Sequence, residues 1–468
     1  MQGSSPLPSP STPTSRPRLF GTNGVRGVWG QTLTADLVID LTYSLATHYG
    51  KGPLVVGYDG RKSSPAVSRL VRSALNSAGL DVADAGLVPT PCLQYAAKRL
   101  GYSGGIMVTA SHNPPEYNGI KPAAADGVEL AREDELKVED IYYSRKFAMI
   151  DGHGRQYADE NVIPSYMDKV LSLVDADRIR QRRFTVAMDT GNGAQAVCAP
   201  LIAQRLGCKV IVVNGQIDGD FPGRGSEPTP DNLGVLAETV RSGRADFGVA
   251  FDGDGDRSIF CDDRGNMYWG DKTGSLLVRH LLAARHAGAQ IVCPVNTSMV
   301  LSMVAQESGL QVIHTKVGSV EVSREMVRRR APLGLEENGG FMYGPLNEVR
   351  DGSMTTALVL DMLSSPAGGE SFSALAEKLP KTYQHKGKFS CASREVVERV
   401  VQACIEHGTP KKIETMDGAK IWIDDETWLM VRPSGTEPLI RMYAESTDKS
   451  LLDSKVDEYS RLVRSKMS

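Results

Sequence analysis

The chain reads Gly104-Gly105-Ile106-Met107-Val108-Thr109-Ala110-Ser111-His112-Asn113-Pro114-Pro115 at the point where its fold and its chemistry meet. The apolar half predicts a buried strand. The polar half, closed by proline, predicts a turn at a sheet edge where open α/β folds bind ligands. Ser111 is therefore a candidate nucleophile, although a serine hydroxyl is weak at neutral pH and needs a base, a metal or an electrophile beside it. An ordinary Ser-Asn-Pro turn explains this stretch as well when it is taken alone.

A plan of strand, loop and helix appears three times along the chain. Residues 53–59 form a predicted strand that is followed by an amphipathic helix over residues 67–75. Residues 184–189 and 291–296 form two further predicted strands, and each leads into a helix. Strands that alternate with helices indicate an α/β fold, and three copies of one plan predict three related domains.

The C-terminal part of the chain follows a different plan, with short strands between two helices. This pattern is typical of an α+β module. The predicted elements are a helix over residues 395–406, strands over 419–423, 427–432 and 439–444, and a closing helix over 451–466.

Size and composition narrow the function to small-molecule chemistry. A chain of 468 residues predicts three or four domains of about 100 to 150 residues each. Its formal charge of −3, with cations dispersed among anions, favours neither nucleic acid nor an acidic membrane surface as a partner. Seven scattered cysteines without a CxxC pair indicate free thiols in a reducing, cytoplasmic compartment. The Ser/Pro/Thr-rich start predicts a disordered tail, and no apolar run is long enough to span a membrane.

An acidic loop follows the predicted strand over residues 247–251 and reads Asp252-Gly253-Asp254-Gly255-Asp256-Arg257. Carboxylates at every second position, separated by glycine, can turn three oxygens toward one point and hold a hard divalent cation, preferably Mg²⁺. Three protein ligands leave positions on an octahedral ion for a phosphate oxygen. Without a cation, carboxylates so close together would repel one another, so an acidic surface turn is a poor alternative.

Two other interpretations of the acidic loop fit the sequence less well. A calcium EF-hand is rejected because Arg257 stands at the required glycine and Asp263 at the required glutamate. A haloacid-dehalogenase-type phosphatase would use Asp252 as nucleophile and Asp254 as acid. In that class Thr or Val usually follows where this chain has Asp256.

Two further loops and an N-terminal segment predict substrate contacts. In the loop over residues 334–340, Glu336 and Asn338 offer groups that pair with sugar hydroxyls. The loop over residues 431–441 combines arginines, hydroxyls and glycine into a phosphate cradle, unless Glu437 or Glu445 pairs with its arginines in a salt-bridged turn. The glycine-rich segment over residues 20–27 carries Arg26, a cation that can contact phosphate oxygens.

These motifs together resemble the α-D-phosphohexomutase family of phosphoglucosamine mutases, phosphomannomutases and phosphoglucomutases. The resemblance runs from about Arg18 to the C-terminus. It rests on four loops in the family's order, Thr109-Ala110-Ser111-His112-Asn113-Pro114, Asp252-Gly253-Asp254-Gly255-Asp256-Arg257, the Glu336 loop, and Arg432-Pro433-Ser434-Gly435-Thr436-Glu437-Pro438.

The resemblance implies a four-domain α/β architecture around a central cleft, with three related domains of mixed sheets and a C-terminal α+β domain. Each domain contributes one loop to the cleft. The expected segments are a tail over residues 1–17 and domains over 18–152 (phosphoserine loop), 153–262 (metal loop), 263–369 (sugar loop) and 370–468 (phosphate loop).

The resemblance also implies an activity, an isomerising phosphoryl transfer between hexose 1-phosphate and hexose 6-phosphate. Ser111 would be the phosphoserine, Mg²⁺ would bind Ser111 and the three aspartates, and hexose 1,6-bisphosphate would be the intermediate and activator. Glucosamine phosphate is the favoured substrate, with mannose and glucose phosphates as the alternative, and family members are monomers or homodimers. The alternatives from other classes are a Mg-dependent phosphatase and a noncatalytic sugar-phosphate sensor.

Site residues follow from the same resemblance. The proton-transfer candidates are Arg26, His112, Lys121 and Arg257, with no division between acid and base. Several relatives end the sugar loop in histidine, whereas this chain has Gly340 there, so one acid or base of those enzymes is missing. The expected substrate contacts are Glu336, Asn338, Lys316, Gly318, Arg432, Ser434, Gly435, Thr436 and Arg441.

Overall fold

Four β-sheets, formed in chain order, organise the structure. The computed structural model describes residues 17–21, 23–149, 152–366, 369–391, 393–433 and 439–467. The first three sheets are mixed and the fourth is antiparallel, as the sequence predicted for four domains of two kinds. The expected disordered tail lies, except for Pro17, outside the described residues.

The first domain has a six-stranded sheet in the order β1-β5-β4-β2-β3-β6. Its apolar β2 and β4 are the strands predicted before the first helix and before Ser111. The elements are β1 (Val25–Val28), α1 (Ala35–Tyr49), β2 (Leu54–Tyr58), α2 (Ser64–Ser77), β3 (Val82–Leu87), α3 (Thr90–Arg99), β4 (Gly104–Val108), β5 (Tyr117–Ala124), α4 (Arg132–Ser144) and β6 (Gln156–Ala158).

The second domain has a five-stranded sheet in the order β11-β10-β9-β7-β8. Short 3₁₀ turns over Ala194–Val197 and Pro230–Asn232 flank its loops. The elements are α5 (Val162–Ser172), α6 (Ala176–Arg182), β7 (Thr185–Asp189), α7 (Ala199–Arg205), β8 (Lys209–Val213), α8 (Gly234–Gly243), β9 (Phe247–Phe251), β10 (Ser258–Cys261) and β11 (Met267–Tyr268).

The third domain has a five-stranded sheet in the order β13-β12-β14-β15-β16. A π-helical turn over Val278–Leu282 joins its first two helices. The elements are α9 (Gly270–Leu277), α10 (Ala283–Arg285), β12 (Gln290–Pro294), α11 (Met299–Glu307), β13 (Gln311–Thr315), α12 (Ser319–Arg329), β14 (Leu333–Leu335), β15 (Phe341–Tyr343), β16 (Asn347–Arg350) and α13 (Gly352–Ser364).

The fourth domain has the antiparallel sheet β17-β21-β20-β19-β18, with helices on it. The three strands and two helices predicted for this part of the chain are confirmed. Before this sheet comes α14 (Phe372–Ala376), whose Phe372 and Leu375 pack in the core of the first three domains. The elements of the fourth domain are β17 (Tyr383–Ser390), α15 (Arg394–Ile405), β18 (Lys412–Glu414), β19 (Ala419–Trp422), β20 (Thr427–Pro433), β21 (Leu439–Ser446) and α16 (Lys449–Met467).

The first three sheets repeat one arrangement. In each, three neighbouring strands are parallel and the third of them in chain order turns back through an antiparallel partner, β4 into β5, β9 into β10 and β14 into β15. The repeat predicted from the sequence is therefore present in the strand order, not only in the alternation of elements.

The apolar core has several clusters. The largest runs through the first three domains, a second around Leu41 lies within the first domain, and the fourth domain has its own cluster around Leu429 and Tyr459. A small cluster joins Val295, directly after β12, and a side chain of α11 to side chains of β20 and β21. Among the residues that the structure describes, no helix combines the length and the apolar character that a bilayer crossing requires.

Candidate active site

The serine loop, the acidic loop and the sugar loop occupy one equivalent position in the three repeated sheets. Ser111 lies between β4 and β5, the three aspartates lie between β9 and β10, and Glu336 lies between β14 and β15. Each loop therefore projects from the carboxyl end of a parallel strand, the edge at which ligands of α/β sheets bind. The acidic loop contacts the serine loop directly and is linked to the sugar loop, as described below.

Ser111 is held at the end of β4 in an unusual backbone conformation. Its φ angle is 50°, in the left-handed region that costs a residue other than glycine about 1–2 kcal/mol. The amide of Ser111 donates to Thr109 Oγ1 at 2.8 Å, and its hydroxyl donates to Asp252 Oδ2 at 2.8 Å. The predicted nucleophile therefore faces the acidic loop directly.

Arg61, which sequence analysis missed, holds the serine loop in place. This fully buried guanidinium donates to the carbonyl oxygens of Ser111 at 2.8 Å and Asn113 at 2.7 Å, and its Nε pairs with Asp59 at 3.1 Å. Asp59 also accepts a hydrogen bond from Thr109 Oγ1 at 2.7 Å. The only sequence signal was the position of Asp59 at the end of the predicted strand over residues 53–59.

The three aspartates form a group that can hold a metal ion. One carboxylate oxygen from each of Asp252, Asp254 and Asp256 lies within 4.8 Å of the others, and all three residues are buried. Asp254 Oδ1 and Asp256 Oδ1 have no hydrogen-bond partner among the described residues, although both are inaccessible to solvent. Buried carboxylate oxygens without donors are costly, and a hard divalent cation satisfies them, so the donor set fits Mg²⁺.

Neighbouring groups fix the other oxygens of this acidic cluster. Thr90 Oγ1 donates to Asp254 Oδ2 at 2.7 Å, and the amide of Arg257 donates to Asp252 Oδ1 at 3.1 Å. Burial, together with repulsion from Asp254 and Asp256, raises the pKa of the Asp252 carboxyl. A cation bound here would relieve that repulsion.

Asp256 differs from the other two aspartates because cations contact it directly. Lys121 Nζ lies 3.0 Å and Arg350 Nη2 lies 2.6 Å from its Oδ2 atom. Burial opposes ionisation, but attraction to Arg350 and Lys121 holds the pKa of Asp256 below its usual range. Lys121 also pairs with Glu129 at 3.2 Å.

Two of the proton-transfer candidates lie beside Ser111. His112 Nδ1 is 3.3 Å from Ser111 Oγ, and Arg257, burial and Arg26 keep the pKa of His112 well below its usual value. Arg26 donates to Ala110 O at 3.0 Å, and desolvation lowers the pKa of Arg26 to about 10 against the attraction of Asp254.

The other two candidates meet at the acidic loop. Arg257 belongs to this loop, and Lys121 lies on β5 and contacts Asp256. Attraction from Asp256 and Glu129 outweighs burial and raises the pKa of Lys121. Arg257 reaches Glu227 at 3.4 Å. The structure thus brings all four predicted residues to one charged cluster.

The sugar loop is linked to the acidic loop through Arg350, another residue that sequence analysis missed. Its Nη1 atom lies 3.3 Å from Glu336 Oε2. Burial raises the pKa of Glu336 although Arg350 opposes the shift. Asn338 is half-buried and its Oδ1 accepts from the amide of Gly340 at 3.3 Å. No motif marks Arg350, because it is distant in sequence from Asp256 and acts through a long-range contact.

The predicted phosphate loop is described only in part. Arg432 and Arg441 are cross-strand neighbours on β20 and β21, whereas Ser434, Gly435 and Thr436 lie outside the described residues. Glu437 also lies outside the described residues, so the salt-bridged alternative that involves it stays a prediction. Glu445 is buried beside the start of α11, where it accepts from Ser298 Oγ and from the amide of Met299.

Asp417 joins the phosphate loop to the predicted contact residues Lys316 and Gly318. Its Oδ2 atom accepts from Arg432 Nε at 3.0 Å and from the amide of Val317 at 3.0 Å. Lys316 is exposed, and Gly318 has a φ angle of 145°. Sequence analysis missed Asp417 because it lies in an unmarked turn before β19.

A serine facing three buried aspartates, in a protein of three repeated α/β domains and a fourth antiparallel domain, defines the class of phosphoryl-transferring sugar-phosphate mutases. Sequence models described as Phosphoglucomutase/phosphomannomutase alpha/beta/alpha domains I, II and III match residues 17–149, 164–265 and 269–383, and the C-terminal domain matches 391–461. The chain belongs to the phosphoglucomutase/phosphomannomutase family, the α-D-phosphohexomutases.

Individual relatives are similar over their whole length. The chain is 39% identical to a phosphoglucosamine/phosphogalactosamine mutase of Sulfurisphaera tokodaii, over 96% of this chain and 100% of the relative. It is 38% identical to a phosphoglucomutase/phosphomannomutase of Thermococcus kodakarensis, over 95% and 97% of the two chains. A crystal structure of a family protein from Burkholderia thailandensis has a TM-score of 0.85 and 26% identity, covering 96% of this chain and 97% of that one. The resemblance inferred from the four loops is thereby confirmed, as are the fold class and the assignment as an enzyme.

Proposed function

We propose that this enzyme interconverts hexose 1-phosphate and hexose 6-phosphate through a phosphoserine at Ser111 and a hexose 1,6-bisphosphate. The observation that carries the proposal is the 2.8 Å contact between Ser111 Oγ and Asp252 within the buried group of three aspartates. Phosphoryl transfer depends mainly on positioning and on charge neutralisation. A hydroxyl fixed against a cation site supplies both.

The residues proposed to hold Mg²⁺ are Asp252, Asp254 and Asp256, together with Ser111. The two partnerless oxygens of Asp254 and Asp256 among the described residues support this set. When bound, Mg²⁺ supplies positive charge that offsets the negative charge of the transferring phosphoryl group.

In the proposed reaction, phosphoserine 111 donates its phosphoryl group to the free hydroxyl of the sugar phosphate, and that hydroxyl loses its proton. The resulting bisphosphate turns over in the cleft and returns its other phosphoryl group to Ser111. Arg26 and His112 contact the serine loop, and Lys121 and Arg257 lie at the acidic loop. We assign proton transfer to these four residues without dividing the acid and base roles.

Substrate recognition is assigned to the sugar and phosphate loops. We propose that Glu336 and Asn338 bind the ring hydroxyls. We propose that the distal phosphate binds the two cross-strand arginines and their neighbours. The full set is Lys316, Gly318, Arg432, Ser434, Gly435, Thr436 and Arg441. The contact of Asp417 with both Arg432 and Val317 supports placing these two segments on one ligand.

Glucosamine phosphate is the proposed preferred substrate, with mannose and glucose phosphates as the alternative. The name of the Sulfurisphaera tokodaii relative supports the first choice and that of the Thermococcus kodakarensis relative supports the second. All seven cysteines are free and six are buried, which suits the proposed cytoplasmic location. We further propose a monomer or homodimer without nucleic-acid or membrane partners.

The test is to incubate the protein with Mg²⁺, a trace of hexose 1,6-bisphosphate and each of glucosamine, mannose and glucose 1-phosphate, followed by ³¹P NMR. The expected result is conversion to the 6-phosphate without release of inorganic phosphate. Release of phosphate would identify a phosphatase, and binding without turnover would identify a sensor. Loss of conversion on addition of EDTA, restored by excess Mg²⁺, is expected in the same assay.

Ser111→Ala is expected to lower mutase turnover by more than about 10³-fold, because the variant lacks the oxygen proposed to carry the phosphoryl group. Substrate binding, measured by calorimetry, should persist. The matched control is Ser73→Ala, which removes an exposed hydroxyl from α2 of the same domain. Full turnover in the Ser111→Ala variant would remove Ser111 from its proposed role.

A further inference from the structure

We propose that Arg350 and Gly340 form one positioning device that sets the sugar loop relative to the metal loop. This inference rests on the proposed mutase function and adds two residues to it. Arg350 ends β16, on the strand that follows the sugar-loop hairpin, and is only 4% exposed. Its guanidinium lies between a metal-loop carboxylate and a sugar-loop carboxylate.

The contacts of Arg350 determine which oxygen of Asp256 is free. Arg350 Nη2 and Lys121 Nζ both bind Asp256 Oδ2, at 2.6 Å and 3.0 Å. Asp256 Oδ1 is left buried and without a hydrogen-bond partner among the described residues. The two cations therefore orient this carboxylate so that one oxygen remains available to a metal ion.

The same guanidinium reaches Glu336 through its other terminal nitrogen, with Nη1 at 3.3 Å from Oε2. A planar guanidinium offers donors in a fixed fork and can hold two carboxylates at a set separation. The ammonium of lysine is a single point charge and cannot reproduce this spacing. The position of the carboxylate proposed to bind the sugar is thus tied to the proposed metal ligand.

Position 340 needs glycine because of the space that Arg350 occupies, and not because of its own backbone conformation. A Cβ atom at position 340 would lie 2.4 Å from Arg350 Cδ and 2.8 Å from Arg350 Cγ. The φ angle of Gly340 lies outside the left-handed region, so the backbone itself accepts alanine there. A side chain at position 340 would therefore displace Arg350 from both carboxylates.

The experiment uses Arg350→Lys, Arg350→Ala, Gly340→Ala and the double variant Gly340→Ala/Arg350→Ala. Arg350→Lys preserves charge, so a changed response reports lost geometry. We expect kcat/KM to fall about 10- to 100-fold in Arg350→Lys, and Mn²⁺ affinity measured by electron paramagnetic resonance to fall about 10-fold. Arg350→Ala removes the two closest atoms at position 340 and leaves Glu336 Oε2 at 3.2 Å, the end of a side chain that can shift by a few tenths of an ångström. Adding Gly340→Ala to Arg350→Ala should therefore lower kcat/KM by a smaller factor than Gly340→Ala does in the wild-type protein.

The control is Arg178→Met. Arg178 also bridges two domains, contacting Asp361 at 2.5 Å and Ser364 at 3.2 Å, but lies away from the site. Circular dichroism checks the fold of each variant, and Gly340→Ala, which retains the arginine, provides the test if Arg350→Ala does not fold.

Unchanged kcat/KM and Mn²⁺ affinity in Arg350→Lys would overturn the inference. Multiplicative effects of the Gly340 and Arg350 substitutions, or an equal loss in the Arg178 control, would do the same. If the wild-type protein binds Mn²⁺ but catalyses no interconversion, the proposed function fails, while the dependence of Mn²⁺ affinity on Arg350 still tests the positioning device.

Discussion

Ser111 has both a strained backbone and complete burial. Its left-handed conformation is imposed by bonds from outside the residue, the Arg61 guanidinium on its carbonyl and the Thr109 hydroxyl on its amide. Strain of this kind persists only where the surroundings over-determine the conformation. The hydroxyl is thereby held toward Asp252 before any substrate binds.

This strain predicts a difference between two inactive variants. The free energy of unfolding of Ser111→Gly should exceed that of Ser111→Ala by about 0.5–1 kcal/mol. Ser111→Gly should therefore also have the higher melting temperature. Glycine relieves the left-handed cost of about 1–2 kcal/mol but loses more backbone entropy on folding. Calorimetric scans of the two variants make the comparison, and equal melting temperatures would show that residue 111 is unstrained.

The sequence predicted those site residues that lie together in short motifs. Ser111 and the three aspartates were identified because strand patterns precede them and their chemistry is concentrated in a few positions. Arg61, Arg350 and Asp417 were not, since each acts on a loop far away in the chain and has no local signature. Contacts of that kind depend on tertiary packing, which a single sequence does not display.

At the scale of the elements, α13 is buried along its whole length. Its first turn is capped by Asp351, whose Oδ1 accepts from Met354 N at 2.8 Å and from the Tyr166 hydroxyl at 2.6 Å. Burial raises the pKa of Asp351 to about 7, against the opposing effect of these hydrogen bonds. The cap therefore binds a proton more tightly in the folded state than in the unfolded chain.

This raised pKa predicts how stability depends on pH. The folded state binds more protons than the unfolded state between about pH 4 and pH 7. The contribution of Asp351 to the free energy of unfolding is therefore fully present below this window. It is lost as pH rises through about 7, with a slope of up to about 1.4 kcal/mol per pH unit. Asp351→Asn keeps an oxygen for Tyr166 and should flatten the decline in melting temperature between pH 5 and pH 8. An unchanged pH profile would contradict the prediction.

Individual helices and strands could be predicted from the sequence, whereas the order of the strands in each sheet could not. The predicted strand over residues 53–59 is β2, and the predicted closing helix is α16, because hydrophobic period and turn residues are local properties. Strand order, such as the placement of β5 between β1 and β4, depends on long-range pairing and could not be derived from local pattern.

In the whole molecule, several contacts attach the fourth domain to the third, and one of them is centred on Glu445. Glu445 is fully buried there and accepts four hydrogen bonds through both of its oxygens. Its donors are Ser298 Oγ at 2.5 Å, Met299 N at 2.8 Å, Thr382 Oγ1 at 2.7 Å and Trp428 Nε1 at 3.2 Å. Because this domain carries Arg432 and Arg441, the contact sets where the proposed phosphate loop stands over the cleft.

Glu445→Gln should loosen the fourth domain, because an amide offers one oxygen where the carboxylate offers two. Buried donors left unmatched cost about 1–3 kcal/mol. We expect a several-fold higher KM for the hexose phosphate and a larger radius of gyration in small-angle X-ray scattering of the free enzyme. Glu458→Gln, which alters a pair with His407 within the fourth domain, is the control. Identical scattering and KM in the Glu445 variant would exclude this attachment point.

The repeated hairpin has a consequence for how the enzyme can diverge. The loops of the three repeated hairpins occupy equivalent positions but carry different groups, since the first holds the proposed phosphoserine, the second the proposed metal ligands and the third the residues proposed to bind the sugar. Substitutions in the third loop can therefore change which hexose is bound while the serine and acidic loops, and the reaction they are proposed to carry, stay unchanged. The substrate specificity of such an enzyme can change in evolution without a change in its reaction mechanism.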